Sequence, residues 1–292
     1  MAERYGRSDC SPYSHGAGNA PAAVVPQDSP SSEVRGKRSM VEAIPAIRSL
    51  LERCLRVVQP EGFRGDFMSY DMETTGLDAA VNVPWQISAV RFERFEPVES
   101  FNRVIRISRE QFDSSFEGDE AKRARYGLEW ERIESEGESS QQVYEALMDF
   151  TSKAPFTIGW NLYALDLQMT RVFCALHGSG RPMAIDIGRS LDMGAIIKAG
   201  QIGLHPHETD SLEKFFRRVL AQWARGVFWS MEKVVRTLQL PEGRFHDALA
   251  DCLLTGMLVE FFHRGKLESA EAWQRRLREK PNPKTANVNQ SC

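Results

Sequence analysis

The sequence predicts an α/β domain in which a three-strand antiparallel meander is followed by alternating strands and helices around one core. Three observations carry that prediction. Extended segments rich in β-branched and aromatic residues succeed one another with short links between residues 67 and 107. From residue 156 onward, short apolar runs alternate with stretches whose apolar residues recur every third or fourth position. The chain has 292 residues, and what remains after a polar leader is of a size that a single core supports.

The elements follow in order. Residues 1–39 are rich in Ser, Pro, Gly and Ala, so ordering them costs more entropy than burial returns; they read as a disordered leader closed by the basic cluster Arg35, Lys37 and Arg38. A lead-in helix is expected within residues 40–63, because Ile44, Ile47, Leu50, Leu51, Cys54, Leu55 and Val58 form one stripe, with Pro45 tolerable in a first turn. The meander comprises residues 67–70, 85–92 and 98–107. Residues 117–138 are densely charged and read as a surface excursion of helix and loop. Ser139 and Ser140 can cap a helix whose stripe is Val143, Leu147 and Phe150. A short buried strand at 156–159 precedes a helix over about 165–176, and 185–191 is expected to supply another strand. Helices then cover 193–198, 212–223, 231–238 and 248–262.

Composition removes several classes of function. Lys plus Arg (37) against Asp plus Glu (40) gives a net charge of −3, so the molecule is not a polycation and any nucleic-acid contact must be local. At 42% hydrophobic and 26% charged residues, without an apolar run of about 18 residues or a signal-type segment, the chain reads as cytoplasmic and without membrane attachment. The five cysteines are odd in number and scattered, which argues against a disulfide framework and a cysteine zinc site. Cys174 and His177 can share a helix face, but two ligands alone read as core packing.

Three local patterns carry chemistry. In Asp71-Met72-Glu73-Thr74-Thr75-Gly76-Leu77, side-chain alternation puts both carboxylates on one face at a strand end, where a hard divalent cation would relieve their repulsion. One solvated and one turn-capping carboxylate is the plainer alternative. In the segment from Gly159 to Asp166, Asn161 follows a strand and Asp166 opens a helix, a place that the helix dipole alone favours for an acid. In His246-Asp247-Ala248-Leu249-Ala250-Asp251, the His and the second Asp converge only if His246 lies on the loop before the helix.

In order and setting, these motifs resemble those of the DEDDh-type 3′→5′ exonucleases of the proofreading-subunit (DnaQ-like) group. D-x-E-T-T-G stands as Asp71 to Gly76, the Asn and following Asp of the second motif as Asn161 and Asp166, and H-x-x-x-x-D as His246 and Asp251. The likeness covers about residues 64–264, with Tyr126-Gly127-Leu128 and 143–151 similar to the family's linking segment. It implies a ribonuclease H-like mixed sheet, the antiparallel meander plus parallel strands, flanked by helices. It also implies that Asp71, Glu73, Asp166 and Asp251 hold two Mg²⁺ ions, with Mn²⁺ as a substitute, and that His246 is the general base. Thr74, Thr75, Gly76 and Leu77 would face the terminal nucleotide, Leu77 against its base, and Asn161 would position the site. Trp160 stands where many members carry His, Leu165 where Phe is common, and residues 200–228 read as an insertion.

The resemblance implies release of nucleoside 5′-monophosphates from single-stranded 3′ ends, with DNA ranked before RNA, and a polymerase or repair protein as partner. Trimming of RNA or short oligonucleotides, and a non-catalytic end-binding module, are the alternatives. Lys214, Arg217, Arg218 and Arg225 near Phe215, Phe216 and Trp223 suit either phosphate contacts or an amphipathic packing helix. Residues 265–292, with Arg275, Arg276 and Arg278, read as a basic tail that steers nucleic acid or is simply solvated. His205, His207, Glu208 and Asp210 offer a polar cluster, read first as loop residues and second as a metal site.

Overall fold

A computed structural model of the chain describes residues 38–178, 183, 185–222, 227 and 230–278. The leader up to residue 37, the tail from residue 279, and Trp223 and Arg225 lie outside the described residues. Helix α1 (Met40–Val58) begins at a reciprocal cap in which Ser39 Oγ accepts the Glu42 N–H and the Glu42 carboxylate accepts the Ser39 N–H. That cap sets the start four residues before Ile44, so Pro45 lies in the second turn and not the first.

The sheet has five strands in the order β3-β2-β1-β4-β5. Strand β1 (Phe67–Thr74) runs antiparallel to β2 (Pro84–Glu93), and β2 runs antiparallel to β3 (Glu96–Val104). Strand β1 is also parallel to β4 (Thr157–Gly159), which is parallel to β5 (Ser190–Asp192). Several boundaries differ from the sequence expectation, those of β3 and of the helix Met193–Ile202 among them, and two show their physical reason directly. Strand β1 continues past Tyr70 because its pairing with β2 persists through Glu73↔Gln86. The segment 185–191 is not a strand throughout: the Asp186 carboxylate accepts the Gly188 N–H at 2.8 Å, winding 187–189 into a 3-10 turn and leaving Ser190–Asp192 to pair.

The charged excursion has a core of its own. Helices α2 (Arg109–Ser114), α3 (Glu120–Arg125) and α4 (Trp130–Glu136) close Phe112, Leu128 and Ile133 over Trp85, Val104 and Ile107. Helices α5 (Ser140–Thr151), α6 (Asp166–His177), α7 (Met193–Ile202), α8 (Leu212–Ala221), α9 (Met231–Thr237), α10 (Ala248–Arg264) and α11 (Ala270–Arg278) complete the chain. Helix α10 crosses β1 and β2, with Gly256 leaving room for the Phe92 ring, while α1 packs on α7 and α10. From the other side of the sheet, Thr170 of α6 bonds to the Tyr70 hydroxyl at 2.8 Å.

Two segments weighed for nucleic-acid contact are tied into the domain. Helix α8 buries Phe215, Phe216 and Val219, and its cations face acids: Arg218 to Asp210 at 2.5 Å, Lys214 to Asp210 at 3.3 Å and Arg217 to Glu213 at 2.9 Å. Asp210 also accepts the His207 N–H, so within the polar cluster at 205–210 it organises a turn. In the stretch read as a basic tail, α11 docks through Trp273, whose indole N–H donates to buried Glu260 at 2.6 Å, and through an Arg276–Glu96 ion pair. No helix among the described residues is long and apolar enough to cross a membrane.

Candidate active site

The site lies at the end of the sheet where parallel strands β1, β4 and β5 present their C-termini, a usual place for ligands in such sheets. Alternation along β1 puts Asp71 and Glu73 on the face of Phe67 and Ser69, toward α10, while Met72 is buried on the other. The first turn of α10 carries Asp251 to them, and His246 lies on the loop before the Asp247 N-cap. One ligand atom from each of Glu73, His246 and Asp251 lies within 4.8 Å of the others, and no other such trio of His, Cys, Asp or Glu occurs among the described residues. Cys174 and His177 therefore join no such group; His177 packs on Phe173 at 5.0 Å.

Asp166, the first residue of α6, is 5% exposed and joins the other carboxyls electrostatically. Burial first, and then Asp166, Asp251, Glu73 and Asp247, push the Asp71 carboxyl well above the usual carboxylate range. Burial and then Asp251, Asp166 and Asp247 raise Glu73, with the Arg132 guanidinium opposing. Asp166 is raised by burial, then by Asp192 and Asp251. Asp251 is pushed up to about 8, mainly by burial, although the His246 N–H donates to its Oδ2 at 3.3 Å. His246 is held below 6.5 by burial and by Arg125, with Glu232 opposing.

Such a group of acids takes up either protons or a cation. The residues fit a hard divalent ion, because Asp166 Oδ2, Asp251 Oδ1 and Asn161 Oδ1 are all buried without a hydrogen-bond donor. Oxygen donors of this kind suit Mg²⁺ or Mn²⁺ better than softer metals.

The turn delivering Asn161 and Asp166 is held from β5. The Asp192 carboxylate accepts the N–H groups of Tyr163 at 3.1 Å and Ala195 at 2.9 Å, and burial pushes its pKa up to about 6 against those bonds. Asn161 is left-handed, with φ 53°, and a Cβ on Gly194 would lie 2.8 Å from its Oδ1. At the end of β1, the threonine hydroxyls bond to the loop: Thr74 donates to the Gly76 carbonyl at 2.6 Å, and Thr75 donates to Asn82 while accepting the Val83 N–H. Gly76 lies against Asn82, where a Cβ would approach to 2.6 Å. Leu77 is not core; it is 82% exposed on this loop.

Several residues at the site had no role in the sequence motifs. Asp247 adds charge beside Asp71 and Glu73, and its signal was an acid at a helix N-cap. Asp192 had the same signal before α7. Arg132 carries no sequence mark of a place here, and Tyr126, whose ring lies 4.8 Å from the His246 ring, is marked only as part of the linking segment.

No protein-family model matches the chain, and no curated protein sequence matches it. Solved structures do. E. coli exonuclease I in complex with a dA16 oligonucleotide aligns with TM-score 0.50 at 16% identity, over 68% of this chain and 41% of that one. Its complex with a dT13 oligonucleotide aligns with TM-score 0.50 at 15% identity, over 68% and 42%. A product-bound exonuclease I gives TM-score 0.50 at 14% identity, over 70% and 45%. The fold is ribonuclease H-like. This ribonuclease H-like chain spans somewhat under half the length of the exonuclease I chains it matches.

Proposed function

We propose that this chain is a divalent-metal-dependent 3′→5′ exonuclease of the DEDDh type acting on single-stranded nucleic acid, DNA before RNA. The observation that carries the reading is the convergence of Glu73, His246 and Asp251 within 4.8 Å, beside the buried and unpartnered oxygens of Asp166 and Asp251. The exonuclease I structures that share the fold hold dA16 and dT13 oligonucleotides, which favours a single DNA strand as substrate.

Asp71, Glu73, Asp166 and Asp251 are the proposed ligands of two Mg²⁺ ions. Ions bound there would neutralise charge on the scissile phosphate and the departing 3′-oxygen and make the attacking water more acidic. His246 takes the water proton on an imidazole nitrogen; its lowered pKa keeps the ring neutral, and so able to accept, at neutral pH. The exposed Leu77 side chain offers an apolar contact to the terminal base, on a loop braced by Thr74 and Thr75. Asn161, with its left-handed backbone and its buried, unpartnered amide oxygen against Gly194, is the proposed positioning residue of the second motif. Water attack at phosphorus yields a nucleoside 5′-monophosphate and a strand one residue shorter.

The test is digestion of matched 5′-labelled single-stranded DNA, RNA and duplex with Mg²⁺ or Mn²⁺, with wild type beside Asp71→Asn and His246→Ala. Shortening from the 3′ end, abolished by chelator and by both substitutions, is expected. Intact strands throughout would overturn the reading in favour of an end-binding module.

A further inference from the structure

We infer that Tyr126 is a positioning residue for His246, and that a ladder of three rings ties the histidine to the loop carrying Leu77. The inference rests on the exonuclease reading and goes beyond its motif residues. The Tyr126 ring meets the His246 ring edge to face at 4.8 Å, and the Phe116 ring stacks on Tyr126 at 4.9 Å and 9°. Phe116 is fastened in turn to the strand-end loop, since its N–H donates to the Thr75 carbonyl at 2.8 Å.

The ladder answers a local need. His246 is left-handed, with φ 61°, a conformation that is strained for a non-glycine residue unless the surroundings hold it. Its backbone is held by the bond from its N–H to Asp251 Oδ2. That bond does not set the ring's torsions, and the packed aromatic contact with Tyr126 does. Phe116 and Glu117 are also left-handed, with φ 51° and 60°, so the segment is bent to set Phe116 between the loop and Tyr126. A strand end that displaces the 75–83 loop therefore acts, through Thr75 and two rings, on the group that takes the proton.

The experiment compares Tyr126→Leu, Tyr126→Phe and Phe116→Leu, each alone and in the His246→Ala background, with His246 ring signals followed by NMR. Tyr126→Leu should lower kcat by about ten- to a hundredfold, with KM for the oligonucleotide little changed. Tyr126→Phe should restore wild-type turnover, and Phe116→Leu should fall between them. Without His246, Tyr126→Leu should cost less than about twofold more, because the two act as a unit. The ring-current displacement of the His246 signals should survive with Phe at 126 and vanish with Leu, a readout independent of turnover. A KM rise at unchanged kcat, losses that multiply with His246→Ala, or an unchanged His246 signal in Tyr126→Leu would each overturn the inference. Wild-type protein that cleaves nothing would sink the exonuclease reading, and this inference with it; an active wild type with an equally active Tyr126→Leu would sink this inference alone.

Discussion

The acidic residues of the site work against the fold that holds them. Asp71, Glu73, Asp166 and Asp251 are each shifted toward the protonated form by burial and by one another, so their ionised forms destabilise the metal-free protein. Removing one charge should relieve that repulsion while removing a ligand. For Asp71→Asn we expect the metal-free unfolding midpoint to rise by roughly 2–5 °C, while nuclease activity falls at least about a hundredfold. Millimolar Mg²⁺ should raise the wild-type midpoint and do less for the variant, because an ion bound only by the folded state stabilises it. Thermal scans with chelator and with Mg²⁺ check both signs; a wild-type midpoint indifferent to the ion would speak against a metal site here.

Among the elements, α8 and α11 show how basic segments become structural. Asp210, before α8, is held well below the usual carboxylate range by the His207 N–H and by hydrogen bonds from Arg218 and Lys214. Its folded pKa lies below the unfolded one, so its stabilisation is present above about pH 4 and is lost as pH falls through the depressed value. In Asp210→Asn, that share of the acid-side loss should be missing from the dependence of the unfolding midpoint on pH below about 4. Helix α11 rests on Trp273, which is 1% exposed, packs 6.2 Å from the Phe92 ring and donates to Glu260. Denaturant titration should find Trp273→Ala less stable by about 3–5 kcal/mol. Tryptophan to Phe should cost about 1–3 kcal/mol, since the ring volume largely remains but a buried carboxylate loses a donor.

For the whole molecule, charge predicts how a strand is held. With a net charge of −3, the chain has no overall positive field, and the cations of α8 are engaged with acids. Two cations act electrostatically on the candidate site, Arg125 beside His246 and Arg132 beside Glu73. Binding of a single-stranded oligonucleotide in Ca²⁺ should therefore show a shallow salt dependence if these two carry the phosphate contacts, with log K against log salt of slope about −1.4, near −0.7 per phosphate contacted. A steeper slope would mean that cations beyond these two track the strand.

Much of this architecture was legible along the chain because its causes are local. Alternation in Phe67-Met68-Ser69-Tyr70 marks the central strand, the helical stripe from Ile47 to Val58 marks α1, and Asp71, Glu73, Asn161, Asp166, His246 and Asp251 stand in three short motifs that are weak singly and are picked out together by their resemblance to a family's motif order. Boundaries set by a partner were not legible: β1 runs on to Thr74 because β2 pairs with it, and α1 starts at Met40 because Ser39 and Glu42 cap each other. The same holds for residues whose place depends on distant contacts. Trp273 becomes core only because Glu260 and Phe92 await it. Asp192 becomes the brace of the Asn161 turn only because β5 pairs beside β4, and Tyr126 reaches His246 across about 120 residues of sequence only because the chain folds back on a small core around Trp85. Chemistry at short spacing is written in neighbouring residues; chemistry assembled across the sheet exists only once burial and strand pairing have brought its parts together.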